Sequence, residues 1–184
     1  MFRTFTAESL GTQQVAKSSV ARQIREELQS SFPTLDVDAV VPKKANVQLT
    51  KGKGEQNHIK LLGVDGVILF FQDRDGPWLP SLSTVEKFPH IMPVFVCDKG
   101  GKPFVLRGAK VMAPGLTSAG GSVAPGIEKN KPVQVHIEGE KGAQAVGITL
   151  MSSEEIITQN KGMAVDNIHF HGDGLFLLLQ QGAL

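Results

Sequence analysis

Apolar positions near the start of the chain recur with the period of an α-helix. Val20, Ile24 and Leu28 are spaced four residues apart and would form one buried stripe on a helix over residues 15–31. Phe32-Pro33 follows, and the residue before a proline disfavours the helical region of backbone space. The pattern therefore predicts a helix that ends at this dipeptide.

Two apolar runs, residues 59–64 and 67–72, flank the dipeptide Asp65-Gly66. Asp-Gly between apolar runs is typical of a two-residue β-hairpin, because both turn positions need a positive φ. Residues 67–71 are apolar without a break, which predicts a strand covered on both faces. A short helix over residues 82–88, bracketed by prolines, is expected to close this first unit.

The second half of the chain consists of short apolar runs separated by turn residues. We predict strands over residues 94–96, 104–106, 133–137, 146–150, 168–170 and 175–179. Short helices are expected over residues 107–112 and 154–161. For the second helix, Ser152 and Glu155 have the spacing of a capping box and Gly162 supplies a stop. Many short strands with few short helices favour a small, partly closed barrel.

The chain of 184 residues is long enough for two small domains. Four prolines cluster between residues 77 and 93, and the pattern of elements changes after Met92-Pro93. We therefore predict two domains of the α+β class, residues 1–92 and residues 93–184.

The composition is that of a globular protein, with 41% hydrophobic and 20% charged residues. No apolar run approaches the ~18 residues that span a membrane. The single cysteine cannot form an intrachain disulfide, which fits a reducing compartment. We therefore expect a soluble cytoplasmic protein with no membrane partner.

The net charge of +1 conceals an uneven distribution of charge along the chain. Residues 41–60 contain five lysines and one acid, and residues 99–110 contain four cations and no acid. Residues 138–173 reverse the balance, with six acids and two lysines. The low net charge argues against attraction of nucleic acid by the whole surface, and the two basic stretches are the local exceptions, although for any single lysine solvated surface charge is the commoner explanation.

The sequence offers little support for catalysis. It lacks the Gly-x-x-x-x-Gly-Lys-Ser/Thr, Gly-x-Ser-x-Gly and His-Glu-x-x-His motifs. Cys97 could act as a nucleophile beside a histidine, but it follows an apolar run in which a small buried thiol is commoner. We predict that the chain is not an enzyme.

Two histidines raise the question of a metal site. His169 and His171 would share a face of a predicted strand and, with Asp173, could ligate a metal. A structural zinc site normally needs four ligands, so we expect no metal and no cofactor. Trp78 could stack on a base, but its proline-rich surroundings favour an anchor that holds this segment to the core.

Residues 98–118 form the most informative segment. A predicted strand runs into a short helix, whose unpaired N–H groups favour an anion. Arg107 and Lys110 would share one face of that helix, and Gly108 between them would let a backbone approach closely. Pro114-Gly115 would then turn the chain towards the same side. The spacing fits a platform for a phosphodiester backbone and, equally, an ordinary helix with a solvated basic face.

The same segment resembles the signature of a PUA domain, in the run Phe104-Val105-Leu106-x-Gly108-Ala109-x-x-Met112-x-Pro114-Gly115-Leu116. Other short motifs fall in the order of one particular family. They are Met1-Phe2, Phe32-Pro33, Pro42-Lys43-Lys44, Leu69-Phe70-Phe71, Asp75-Gly76-Pro77, Lys87-Phe88-Pro89, Asn160-Lys161-Gly162, Asn167-Ile168-His169 and Asp173-Gly174-Leu175. Together they resemble the malignant T-cell-amplified sequence family of translation factors. The resemblance implies an N-terminal pre-PUA α/β domain with an antiparallel hairpin, followed by a PUA domain that forms a small mixed β-barrel with short helices.

The resemblance also implies a function and partners. Family members bind the small ribosomal subunit and tRNA, and act with density-regulated protein in non-standard initiation, reinitiation and ribosome recycling. The expected RNA-binding residues are Lys99, Lys102, Arg107, Gly108, Lys110 and Gly115, with Lys43 and Lys44 as a second basic site. Because PUA domains often guide catalytic domains to RNA, an RNA-modification or accessory protein acting on tRNA or rRNA is the alternative. A third possibility is a protein-interaction module that binds no RNA.

One departure from the family pattern affects this expectation. After Lys99-Gly100, relatives usually continue with alanine, an apolar residue and a lysine, whereas this chain has Gly101-Lys102-Pro103. The positive charge is displaced by one position, which on a strand would move it to the opposite face.

Overall fold

The computed structural model describes residues 1–182, which fall into two compact units. The N-terminal unit comprises Thr4–Ile91 together with the C-terminal segment that begins at Leu177. The C-terminal unit comprises Met92–Phe176 together with Met1–Arg3.

This division differs from the predicted one, residues 1–92 and 93–184, mainly at the two ends of the chain. The backbone N–H of Gly174 donates to the carbonyl of Phe2 at 2.8 Å, which ties the first residues to the C-terminal unit. The sequence held no local signal for this contact, because the two residues are far apart along the chain.

Among the described residues, the N-terminal unit contains five strands and three α-helices. They are β1 (Leu10–Val15), α1 (Ser18–Ser31), α2 (Val37–Val40), β2 (Val47–Gly52), β3 (Ile59–Val64), β4 (Val67–Asp73), β5 (Leu79–Pro80) and α3 (Leu82–Lys87). All neighbouring strands are antiparallel, in the order β1-β2-β3-β4-β5. The strands β1 and β5 are therefore the edges of this sheet.

The strands β3 and β4 form the predicted hairpin. Asp65 and Gly66 occupy its turn with φ of 50° and 83°, which explains why this dipeptide stands there. Residues 68–71 are buried, whereas Val67 at the start of the strand is 49% exposed. Coverage on both faces is thus confirmed for residues 68–71.

The helix α1 begins at Ser18, three residues later than predicted, because the chain as far as Val15 belongs to the strand β1. Ile24 and Leu28 are buried as expected, but Val20 is 36% exposed. The buried stripe therefore has two of its three predicted members. The strand β1 was not predicted, because its polar and exposed residues carry no regular apolar alternation.

Among the described residues, the C-terminal unit contains five strands and three complete short α-helices, and a fourth helix begins in this unit and continues past its last residue, Phe176. They are β6 (Val94–Cys97), α4 (Lys102–Val105), β7 (Val111–Met112), α5 (Ala113–Thr117), β8 (Pro132–Ile137), β9 (Ala145–Thr149), α6 (Ser153–Gln159), β10 (Met163–Phe170) and α7 (Gly174–Gln180). The sheet order is β6-β8-β9-β10-β7, with β6 parallel to β8 and the other pairs antiparallel. The sheet is mixed, as predicted.

The capping box before α6 is confirmed. Ser152 accepts a hydrogen bond from the backbone N–H of Glu155, and the Glu155 carboxylate accepts one from the backbone N–H of Ser152. Asn160 then leaves the helix in the left-handed conformation, with φ of 46°. The helix is shorter than the predicted residues 154–161 at its C-terminal end.

Residues 175–179 belong to the helix α7, so the predicted strand is wrong. Asp173 accepts a hydrogen bond from the backbone N–H of Phe176 at 2.8 Å, the bond that an aspartate makes at the start of a helix. A short apolar run fits a strand or a buried helix equally well, and this aspartate decides between them. Across residues 1–182, no helix combines the length and the apolarity that crossing a bilayer requires.

Candidate RNA-binding surface

The segment between β6 and β8 carries most of the predicted RNA-binding residues, and Asp98 fixes its start. The Asp98 backbone N–H donates to the carbonyl of Gly115 at 2.8 Å, and its Oδ1 accepts from the N–H of Gly101 at 3.0 Å. Its other carboxylate oxygen accepts a hydrogen bond from the Ser118 hydroxyl, the main reason that the pKa of Asp98 is lowered. These bonds tie the chain before α4 to α5 and to the residue after it.

Cys97 lies beneath this segment and is only 2% exposed. A β-carbon at Gly101 would lie 2.2 Å from the Cys97 Sγ, and one at Gly115 would lie 3.1 Å from it. Burial, and then the charge of Asp98, raise the pKa of the Cys97 thiol to about 11, so the thiol stays protonated at neutral pH. The prediction that Cys97 packs as a small buried side chain is confirmed.

The local structure of this segment differs from the prediction. The predicted strand over residues 104–106 belongs instead to α4 and the turn that follows it, and the predicted helix over residues 107–112 is a turn followed by β7. Pro103 stands in the first turn of α4, where its missing N–H costs nothing. Gly108 adopts φ of 73° in the turn, which interrupts any helix at that point.

The turn expected at Pro114-Gly115 is also placed differently. Pro114-Gly115 lies inside α5 and near its start, where a proline is tolerated. Arg107 therefore belongs to the turn after α4, while Lys110 leads into β7. The prediction that these two cations share one helical face is wrong, although both are exposed within the same short segment.

The cations of the segment have different surroundings. Lys102 forms an ion pair with Glu140, and the Nζ of Lys110 lies 3.8 Å from the Oδ1 of Asp166. Because Lys102 stands in a helix, the predicted move of its charge to the other face of a strand does not occur. The carboxylate of Glu140 offsets part of the charge of Lys102.

Lys99 and Arg107 are exposed, and within residues 1–182 neither is joined to a carboxylate by an ion pair. The guanidinium of Arg3 donates to the backbone carbonyl of Arg107. Arg3 thus brings a further cation to this surface, which no local sequence pattern could indicate because it lies 104 positions away.

Phe104 is a functional candidate that was not predicted from the sequence. Its side chain is 61% exposed on α4, an unusual position for an aromatic residue, and Lys102 and Arg107 flank it in the sequence. Placing residues 104–106 in a strand hid this exposure. An available signal was an aromatic residue directly after a proline inside a basic run.

The two predicted RNA-binding glycines have packing neighbours of their own. Gly108 packs against the ring of Phe170, and Gly115 lies over the thiol of Cys97. The fold therefore favours glycine strongly at Gly108, where φ is 73° and a β-carbon would lie 2.4 Å from the ring, and less strongly at Gly115, where it would lie 3.1 Å from the sulfur. Their contact with an RNA backbone stays a prediction.

The second predicted basic site lies in the N-terminal unit. Lys43 and Lys44 are exposed in the turn after α2. Lys43 also contributes to lowering the pKa of Asp38, after the larger effect of the hydrogen bond from Arg25. Both lysine side chains are accessible to a ligand.

The two histidines considered as metal ligands do not act together. His169 is fully buried, with its Nδ1 2.8 Å from the Oδ2 of Asp173, whereas His171 is exposed and its ring packs against Phe176. The Asp173 carboxylate also accepts hydrogen bonds from the backbone N–H groups of Phe170 and Phe176. This arrangement stabilises the turn between β10 and α7. Within residues 1–182, no group of three or more His, Cys, Asp or Glu side chains is placed to hold a metal ion.

Trp78 is confirmed as an anchor of the proline-rich segment. Its side chain is 5% exposed, and its indole N–H donates to the Oε2 of Glu27 at 3.1 Å. A buried ring whose N–H group already donates a hydrogen bond within the fold is not available to stack on a base.

Two family models match the chain in tandem. Residues 5–89 match a model described as "Pre-PUA-like domain", and residues 92–174 match one described as "elF2D, PUA domain". The two matched regions together cover most of the chain.

The chain is similar from end to end to named relatives. It is 40% identical over 180 residues to translation machinery-associated protein 20 of Saccharomyces cerevisiae, covering 96% of this chain and 97% of that protein. The malignant T-cell-amplified sequence 1 homolog of Drosophila melanogaster gives the same identity and the same coverage. Malignant T-cell-amplified sequence 1 of Danio rerio is 38% identical over 162 residues, which is 87% of each chain.

Solved structures share the fold. A hypothetical protein from Pyrococcus horikoshii matches with a TM-score of 0.74 at 23% identity, covering 91% of this chain and 99% of that one. A PUA domain protein from Aeropyrum pernix matches with a TM-score of 0.73 at 22% identity, covering 94% and 93%. These likenesses concern the fold alone, and they confirm the predicted α+β architecture.

The tandem models and the end-to-end identity confirm the resemblance predicted from the short motifs. This chain, with a pre-PUA-like domain followed by a PUA domain, belongs to the family of malignant T-cell-amplified sequence 1 and translation machinery-associated protein 20.

Proposed function

We propose that this chain is a non-enzymatic translation factor that binds RNA of the small ribosomal subunit and tRNA. The observation that carries the proposal is the 40% identity, over nearly the whole of both chains, to a yeast protein named for its association with the translation machinery. The PUA model that matches residues 92–174 supports placing RNA binding in the C-terminal unit.

The surface around α4 has the chemistry that such binding needs. Within residues 1–182 neither Lys99 nor Arg107 forms an ion pair with a carboxylate, and exposed cations of this kind attract phosphates. Phe104 presents an exposed ring on which an unpaired base can stack. Cations beside an exposed aromatic ring favour single-stranded RNA, in which bases are free to leave the helix.

The contacts expected from this surface set the character of the binding. Most of them go to phosphates, so affinity falls with salt and depends weakly on sequence. Lys102 and Lys110 must exchange their carboxylate neighbours for phosphate, and they therefore contribute less than Lys99 and Arg107. Lys43 and Lys44 supply a second set of phosphate contacts from the N-terminal unit.

The role is positional, and the chain acts in the cytoplasm with a protein partner, a homologue of density-regulated protein. By binding the small subunit and tRNA, the complex alters the residence of tRNA in non-standard initiation, reinitiation and ribosome recycling. The state of Cys97 supports a non-enzymatic role, because a buried, protonated thiol is a poor nucleophile. The fully buried His169 supports it as well.

Co-sedimentation tests the proposal. Purified chain is centrifuged with small ribosomal subunits, with and without deacylated tRNA, over a series of salt concentrations. We expect the chain to pellet with the subunits at low salt and to be released as salt rises. Pelleting that is absent at every salt concentration would contradict the proposal.

The alternative, an RNA-modification protein, needs a separate measurement. Incubating the chain with tRNA and analysing the tRNA nucleosides by mass spectrometry should show no change in their composition. A new modified nucleoside that depends on the chain would replace the non-enzymatic role with a catalytic one.

A further inference from the structure

A cavity of about 860 Å³ lies within the N-terminal unit, between α1 and one face of the sheet. On the helix side it is lined by Ile24 and Glu27, and on the sheet side by Leu49, Lys51 and Lys60, among others. We call this cavity the α1 groove. It combines apolar walls with charged side chains, as binding sites for peptides and small ligands commonly do.

Two lysines on the sheet side of the α1 groove lie directly opposite each other. Lys51 of β2 pairs in register with Lys60 of β3, so both side chains project from the same face. Like charges in directly opposite positions destabilise a sheet. Asp75 offsets Lys60 at 3.5 Å, but its carboxylate is fully exposed, and within residues 1–182 no ion pair joins Lys51 or the nearby Lys53. An incoming carboxylate would relieve this repulsion.

One rim of the α1 groove is the edge strand β1. The backbone N–H of Ala16 donates inward to Val47, and the antiparallel register places Gln13 opposite Thr50. The hydrogen-bonded pairs alternate along the ladder, so Gln13 and Val15 direct their N–H and C=O groups outward. The strand contains neither a charged residue nor a proline, the usual devices that block pairing at an edge.

We propose that β1 and the α1 groove bind an extended acidic segment of a partner protein. The segment adds as a strand to the outer edge of β1, and its carboxylates meet Lys51 and Lys53. Main-chain bonds supply affinity in this mode, and the lysines select for acidic side chains. The inference rests on the N-terminal unit alone and goes beyond the RNA contacts of the proposed function.

The lining favours a polypeptide over RNA. Glu27 and Asp75 place two carboxylates against the three lysines, and this mixed charge attracts isolated carboxylates better than a continuous polyanion. Trp78 is buried and offers no ring for stacking. Outward N–H and C=O groups repeating every second residue match the main chain of a strand, which a nucleic acid lacks.

The test uses the full-length chain and a random dodecapeptide display library. We expect the selected peptides to be rich in Asp and Glu, and a synthetic consensus peptide to slow hydrogen exchange at the amides of Gln13 and Val15. Replacing Lys51 and Lys53 together by Glu is expected to weaken peptide binding at least about tenfold. The matched control is the pair Arg22→Glu and Lys87→Glu, which changes the net charge equally at exposed positions outside the groove.

A second variant tests strand addition itself. Gln13→Pro removes one outward N–H at an edge position where proline is tolerated, and Gln13→Val keeps that N–H. We expect only the proline variant to lose peptide binding, with small-subunit binding unchanged in both. Because subunit binding is measured separately, failure of this inference is distinguishable from failure of the proposed function.

Several results would overturn the inference. The first is a library selection that enriches no binding peptide or only peptides without acidic residues. The second is peptide binding that does not change when Lys51 and Lys53 are replaced by Glu. The third is a bound peptide that slows hydrogen exchange at amides outside β1. Protection of the β1 amides by an oligoribonucleotide in place of the peptide would assign the α1 groove to RNA. If Gln13→Pro fails to fold, the lysine variant and the exchange data still decide.

Discussion

A β-carbon placed on Gly108 would lie 2.4 Å from the Cε1 atom of Phe170. Phe170 is 5% exposed at the end of β10, and Gly108 adopts φ of 73° in the turn after α4. The core of the C-terminal unit therefore fixes the turn that carries Arg107.

Gly108→Ala is expected to destabilise the chain more than a glycine-to-alanine change in open space. Gly126 provides the matched control, because its φ of 71° is nearly the same and a β-carbon added there would meet nothing within 4 Å. We expect about 1 kcal/mol of destabilisation for Gly126→Ala, from backbone strain alone. Gly108→Ala is expected to cost about 1–3 kcal/mol more, from overpacking. Urea denaturation measures both, and equal losses would show that Phe170 moves aside freely.

Phe104→Ala is expected to weaken RNA binding without unfolding the chain. Loss of one stacked base costs about 1–3 kcal/mol, which is ~5- to 150-fold in affinity. Because Phe104 is 61% exposed, its removal leaves the core intact and shifts stability by less than ~0.5 kcal/mol. Ile157→Ala is the control, since Ile157 is 59% exposed on α6. Equal affinities of the Phe104 and Ile157 variants for small subunits would exclude stacking at Phe104.

Reversing the charges of Arg107 and Lys110 to glutamate is expected to reduce RNA binding sharply. If each residue neutralises one phosphate, the slope of log affinity against log salt flattens by ~0.7–0.9 per lost contact. The double variant Lys129→Glu and Lys131→Glu is the control. It is well matched, because Lys129 pairs with Glu155 at 2.8 Å much as Lys110 pairs with Asp166. An unchanged salt slope in the Arg107/Lys110 variant would remove this surface from the RNA interface.

Asp98 links stability to pH in the acid range. Because folding lowers the pKa of the Asp98 carboxyl, its charged form stabilises the folded chain fully at pH values above its pKa in the unfolded chain, near 3.8. This stabilisation is lost as the pH falls through the pKa that Asp98 has in the folded chain. We therefore expect wild-type and Asp98→Asn chains to differ in unfolding free energy by a constant amount between about pH 5 and 7, and to converge below about pH 4.

Since the Ser118 hydroxyl is the main cause of the lowered pKa of Asp98, Ser118→Ala is expected to raise that pKa in an NMR titration. No movement of that pKa would contradict the assigned hydrogen bond.

Cys97 is expected to react with a thiol reagent only when the chain opens. A thiol that is 2% exposed, with a pKa raised to about 11, presents almost no thiolate at pH 8. Labelling of the native chain is therefore expected to be far slower than labelling in urea, and the single cysteine makes the signal unambiguous. Gly101→Ala would push a β-carbon against the sulfur and is expected to speed labelling by destabilising the turn. Labelling of the native chain as fast as of the unfolded chain would refute the buried position.

Elements with strong local signals were predicted correctly. The turn between β3 and β4 needs two residues with positive φ, which Asp65-Gly66 supplies, so the hairpin could be identified without tertiary information. The start of α6 could be identified in the same way, because Ser152 and Glu155 each accept a hydrogen bond from the backbone N–H of the other. The strands β8 and β9 followed from their apolar pattern.

The candidate site could be predicted only in part, because its apolar runs are short. Residues 104–106 and 175–179 fit a strand or a helix by composition, and the starts of their helices depend on Pro103 and Asp173. The basic character of the segment was visible in the sequence, whereas the exposure of Phe104 required the three-dimensional structure.

The bonds of Asp98 and the close packing of Gly101 and Gly115 on Cys97 leave the turn little room to rearrange. A surface already held in one conformation meets its ligand without a slow folding step, so encounter is limited by diffusion and by the attraction of its cations. For the proposed RNA binding, we therefore expect salt to act mainly on the rate of association and the stacking contact with Phe104 to set the lifetime of the complex. Rapid exchange of this kind suits the positional role proposed for the chain.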